Sequence, residues 1–105
     1  MLETNHDKLF DAFNLAVSAT DVEVGKTYPI YGRITRILSD TPGCVIAEIN
    51  NNMLLTMPIP NENGVTLLRQ RCFDWGIFVA HITGRDEMVH GTCETVIFGK
   101  PGITH

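Results

Sequence analysis

Apolar positions in this chain change period twice, from helical spacing to strand alternation and briefly back again. Leu9, Phe10, Phe13, Ala16 and Val17 recur at intervals of three and four, and Thr4 three residues before Asp7 resembles a capping box with Asp in place of Glu. Residues 5 to 18 are therefore predicted to form an amphipathic helix, with Glu3, Asp7, Asp11, Asn14 and Ser18 along its other face. A polar linker, Asp21 to Lys26 with a turn at Gly25, ends that segment and divides residues 1–24 from a β-rich domain over residues 25–105.

Tyr28 to Leu38 reads as a long β-branched first strand interrupted by Gly32, where a bulge or sharp bend is expected. Ser39-Asp40-Thr41-Pro42-Gly43 is a dense turn signal. Cys44 to Ile49 and Met53 to Ile59 follow as two short apolar strands. They flank Asn50-Asn51-Asn52, which suits a hairpin because Asn tolerates left-handed backbone angles. Pro58, with no N–H to donate, marks a sheet edge. Val65, Leu68, Cys72 and Trp75 then return to helical spacing, which predicts a second helix over residues 64–75 capped by Gly76. Ile77 to Thr83 and Thr92 to Lys100 complete the set as fourth and fifth strands, with Gly84 to Glu87 as an exposed loop.

The predicted fold is mainly β with helices. Its order is strand, strand, strand, helix, strand, strand, preceded by the N-terminal helix. In that order, and in Val24-Gly25-Lys26-Thr27-Tyr28 leading into Gly32-Arg33-Ile34-Thr35-Arg36-Ile37, the chain resembles the oligonucleotide/oligosaccharide-binding (OB) barrels of RNA- and DNA-binding proteins. The resemblance implies a five-stranded barrel whose inserted helix covers one end; Trp75, beside a helix-terminating glycine, either plugs that end, the role the resemblance favours, or stays exposed for a ligand. The second and third strands lack the aromatic residues that single-strand binders of this kind often carry. An SH3-like barrel or a helix-covered open sheet has the same element content and remains an alternative.

Charge sharpens this division. The net charge of −4 falls on residues 1–24, where Glu3, Asp7, Asp11, Asp21 and Glu23 face Lys8 alone, while the rest of the chain is balanced. Overall acidity thus leaves room for a local basic surface. The three cysteines, Cys44, Cys72 and Cys93, are odd in number and widely spaced, which argues against a disulfide framework and fits reduced thiols in the cytoplasm. No apolar run approaches the roughly 20 residues of a spanning helix, and a soluble protein is expected.

Candidate chemistry is sparse. On strand parity Tyr31, Arg33 and Thr35 share one side of the first strand, and Phe98 and Lys100 share one side of the fifth. A common face of Tyr31, Arg33, Phe98 and Lys100 would offer stacking surface and phosphate contacts, the combination that binds single-stranded DNA or RNA, with Arg36 as a further contact. The leading expectation is accordingly a non-enzymatic binding module. The alternative is a protein-interaction or inhibitor domain in which Glu3, Asp7 and Asp11 dock a basic partner, or a barrel edge pairs with a second copy. His81, His90 and Cys93 lack the closely spaced pairs of a zinc site, and no nucleophile–base set or phosphate-binding glycine motif is present. No metal, cofactor or catalytic residue is therefore expected.

Overall fold

The computed structural model describes residues 21–99. The sequence-predicted N-terminal helix, with Glu3, Asp7 and Asp11, and Lys100 at the other end lie outside them. Five strands and one helix make up the described fold: β1 (Thr27–Thr41), β2 (Cys44–Ile49), β3 (Met53–Met57), α1 (Glu62–Gln70), β4 (Trp75–Arg85) and β5 (Val89–Phe98).

The length of β1 determines the architecture. Its 15 residues span about 50 Å at strand rise, too far for one neighbour of ordinary length. Its first half, Thr27 to Arg33, pairs antiparallel with β4 and its second half, Ile34 to Thr41, with β2. The β2–β3 hairpin and the β4–β5 hairpin meet through a parallel pairing of Met53–Thr56 with Val89–Thr92, and the sheet closes in the order β1-β2-β3-β5-β4. Each strand thus has two hydrogen-bonded neighbours. The free edge expected to pair with a second copy, and the edge position expected at Pro58, are absent among the described strands.

Alternation fills the interior. Val45, Ala47 and Ile49 on β2, Met53, Leu55 and Met57 on β3, and Phe78, Ala80 and Ile82 on β4 are all fully buried, and no polar or charged residue is buried with them among the described residues. The bend of β1 lies beyond Gly32, where the sequence placed it. Register shifts interrupt the β1–β2 ladder between Ile34 and Arg36 and again between Ile37 and Ser39.

Helix α1 begins at Asn61, whose Oδ1 accepts from Gly64 N at 2.9 Å, and it buries Val65 and Leu68 against the barrel. It stops at Gln70, short of the expected Trp75. Phe73 adopts φ 72° and gives its N–H to Ile34 O, on distant β1, at 2.9 Å, which takes the chain out of the helix. Cys72 still packs against the core, half-buried, as its helical spacing suggested. Trp75 and Gly76 are extended residues of β4, paired with Arg33 and Gly32, so Trp75 is a strand residue and not the plug, and Gly76 is not a helix cap. A Cβ at Gly76 would come within 2.8 Å of Ile97 O, so close packing against β5 accounts for this glycine.

Candidate nucleic-acid interface

Outward-facing residues of β1 and β4 converge at one corner of the barrel. Ile30, Gly32 and Ile34 point inward and are buried, so Tyr31 and Arg33 face out. Trp75 lies directly across from Arg33, and Ile77 across from Tyr31. The Tyr31 and Trp75 rings stack with centroids 4.9 Å apart and planes at 21°, and the Arg33 guanidinium lies over the Trp75 ring at 5.3 Å. An aromatic pair is worth about 0.5–1.5 kcal/mol beyond its buried area, and an exposed cation over a ring about 0.5–1 kcal/mol. The arrangement is therefore held in place before any ligand arrives.

The backbone behind these side chains is also fixed. Asn50 Nδ2 donates to Tyr31 O at 3.1 Å, Arg33 N donates to Asn50 Oδ1 at 3.2 Å, and Asn50 N donates to Arg33 O at 3.1 Å. Asn50 can do this because it and Asn51 take left-handed angles, φ 55° and 62°, in the hairpin that the Asn run predicted. Asn51 N donates to Thr35 Oγ1, which in turn donates to the Glu48 carboxylate at 2.9 Å.

Most cations nearby are already matched. Arg36 pairs with Glu48 at 3.1 Å, Arg69 with Asp40 at 2.9 Å, Arg71 with Asp74 at 3.3 Å and Lys26 with Glu23 at 3.1 Å. Arg33 is exposed and forms no ion pair among the described residues. It is the cation of this corner open to a phosphate.

Of the residues chosen from sequence, Tyr31 and Arg33 come together. Arg36 lies on the other half of β1, drawn onto β2 by Glu48. Phe98 does not share the Tyr31 face. The β4–β5 register sets Ile97 opposite Ile77, the fully buried residue paired with Tyr31, and Phe98 opposite Gly76, the residue paired with Gly32. The Phe98 ring meets buried Phe78 edge-on at 6.1 Å and 90°, with Arg71 over it at 5.4 Å. Trp75, which the sequence favoured as a plug over a ligand contact, joins Tyr31 and Arg33 instead. The run Trp75-Gly76-Ile77-Phe78-Val79, aromatic and β-branched, is the signal that a strand begins at the Trp.

The other polar groups lead elsewhere. His81 Nδ1 hydrogen-bonds Thr27 Oγ1 at 3.1 Å on the outside, His90 Nε2 hydrogen-bonds Asp86 Oδ1 at 3.0 Å, and Cys93 faces inward and donates to Thr95 O at 3.2 Å. Strand alternation thus separates His81 from Cys93, and no three His, Cys, Asp or Glu side chains among the described residues are grouped to hold a metal ion. Burial pushes the Cys93 thiol up to about 12. Backbone donation from Met88 N, then the His90 contact, holds the Asp86 carboxyl below its usual range. No helix among the described residues is long and apolar enough to cross a membrane.

No protein-family model matches the chain, and no curated protein does. Among solved structures, an aspartyl tRNA synthetase from Entamoeba histolytica superposes with a TM-score of 0.62 at 8% identity, covering 88% of this chain and 23% of that one. The chain thus spans about a quarter of that protein's length, and at this identity the likeness is one of fold.

Proposed function

We propose that the barrel is an OB-type module that binds single-stranded nucleic acid and catalyses no reaction, with Tyr31, Arg33 and Trp75 as its contact surface. The observation that carries this reading is the outward-facing cluster itself, two stacked rings beside an arginine with no ion-pair partner among the described residues. Aromatic surface accepts any base and a cation accepts the phosphate between bases, so the cluster favours single strands without reading their sequence. The closed order β1-β2-β3-β5-β4 with a helix between β3 and β4 is consistent with the OB arrangement. The structurally similar synthetase acts on tRNA, by its name, which adds support of the same kind.

Trp75 is the single tryptophan of the chain, so its fluorescence reports on the site directly. Titration with single-stranded DNA and RNA oligonucleotides is expected to quench it, with an affinity that falls as salt rises by roughly 0.7 logarithmic units per tenfold salt for each phosphate neutralised. Unchanged emission with both nucleic acids, at low and at high salt, would remove the reading.

The acids of residues 1–24 support a second reading, a domain that docks a basic protein through Glu3, Asp7 and Asp11. Neutralising all three together should abolish such a complex; a partner that stays bound to the triple variant excludes it.

A further inference from the structure

Between the end of α1 and the start of β4 the chain places a phenylalanine where the fold itself gains little from one. Phe73 has φ 72°, a left-handed conformation that glycine usually supplies where one follows a helix and that is disfavoured for a residue with a Cβ. The residue is 61% exposed, more than Val24, Leu38 or Leu67, the other exposed large hydrophobics. Phe73 belongs neither to the buried core cluster nor to the partly buried hydrophobics packed against it.

The position is nevertheless fixed. Phe73 N donates to Ile34 O at 2.9 Å, and on either side Cys72 N donates to Arg69 O at 3.2 Å and Asp74 N to Arg71 O at 3.0 Å. The Arg71–Asp74 ion pair spans the same turn. The backbone of Phe73 is thereby held against the residue that follows Arg33 and lies two residues ahead of Trp75. An exposed ring on a fixed and unfavourable backbone next to an aromatic–cation cluster is placed for a ligand and not for the core.

We propose that Phe73 is a second stacking surface for the same single strand, receiving a base adjacent to the one held at Tyr31 and Trp75, with Arg33 on the phosphate backbone between them. This rests on the reading of the Tyr31, Arg33 and Trp75 cluster as a nucleic-acid interface. Arg33 favours a nucleic acid over an apolar protein partner: a cation with no ion pair among the described residues, lying over Trp75, suits a chain that alternates flat bases with negative charges.

The test uses the full chain and a fluorescein-labelled twelve-residue oligo(U) or oligo(dT), with binding read by anisotropy and folding by urea unfolding. Phe73→Ala and Phe73→Gly are both expected to weaken binding about 5- to 150-fold, the range for losing one stacked base, and Phe73→Trp to restore it. Phe73→Gly should also unfold at a higher urea concentration than Phe73→Ala, because only glycine relieves the left-handed backbone. If the wild-type chain binds and both variants bind as tightly, Phe73 is not part of the interface and the Tyr31, Arg33 and Trp75 site stands without it. If the wild-type chain binds neither oligonucleotide, both ideas fall together. If Phe73→Gly is less stable than Phe73→Ala, the left-handed turn is not a strain the ligand repays, and the inference fails on that ground.

Discussion

The carboxamide of Asn50 occupies the space that a side chain on Gly32 would need. A Cβ at Gly32 would lie 2.6 Å from Asn50 Oδ1, and that same carboxamide bridges Tyr31 O and Arg33 N. The glycine therefore serves the approach of one side chain to one backbone segment, and through it the posture of Tyr31 and Arg33.

Gly32→Ala should accordingly destabilise the barrel by about 1–3 kcal/mol, the usual cost of overpacking. Asn50→Ala removes two hydrogen bonds at roughly 0.5–1.5 kcal/mol each. The two changes should not add. With the carboxamide gone, Gly32→Ala meets an open site and should cost well under its value in the wild-type background. Urea unfolding of the four proteins measures the coupling, and strict additivity would show that Asn50 is not what keeps Gly32 small.

Arg33 and Arg36 both lie on β1 and look equivalent in the sequence, yet the structure predicts different consequences on removing them. Arg33→Ala should weaken oligonucleotide binding and lower the salt slope by about 0.7, the share of one phosphate contact. Arg36→Ala should change neither by much, because Glu48 already engages its guanidinium at 3.1 Å. Arg33→Lys should fall between, keeping the charge while losing the planar group over Trp75. Equal losses for Arg33→Ala and Arg36→Ala would mean that the Glu48 pairing opens on binding.

The contrast between these two arginines also marks how far the sequence could be read. Elements with a strong period were legible: β2 falls at Cys44–Ile49 as expected, the Asn turn takes its left-handed angles, and a helix separates β3 from β4. What failed depended on partners distant in the chain. Trp75 continues the spacing of Val65, Leu68 and Cys72, and only the N–H of Phe73, captured by Ile34 O, ends the helix before it. Phe98 follows from parity within its strand, but which parity faces inward is set by the β4–β5 register. Ion pairing is hidden for the same reason, since Glu48 reaches Arg36 only once β2 lies beside β1.

Helix α1 offers a test of what holds an element onto the barrel. Arg69 bridges Asp40 and Glu62, but all three side chains are about half exposed or more, and such pairs contribute about 0–1 kcal/mol. Leu68 is fully buried, and its truncation should cost about 2–5 kcal/mol. Thermal or urea unfolding should therefore place Leu68→Ala far below wild type and Arg69→Ala close to it. The reverse order would mean that the charges and not the apolar face dock the helix.

Cys93 gives the barrel a dependence on alkaline pH. Its thiol is buried, and burial pushes it up from an ordinary value of 9.0 to about 12. In the unfolded chain the thiol ionises first, so ionisation favours unfolding. The stability linked to this group is complete below pH 9, declines as pH rises and is lost through about 12. Cys44 is exposed and Cys72 half-buried, so a thiol reagent at neutral pH should modify Cys44 first and reach Cys93 only at the rate of unfolding. Replacing Cys93 with Ala should lower stability at pH 7 by leaving a small cavity, and should flatten the decline between pH 9 and 12. Unfolding midpoints of the two proteins across that range are the measurement; parallel curves would show that another group carries the alkaline transition.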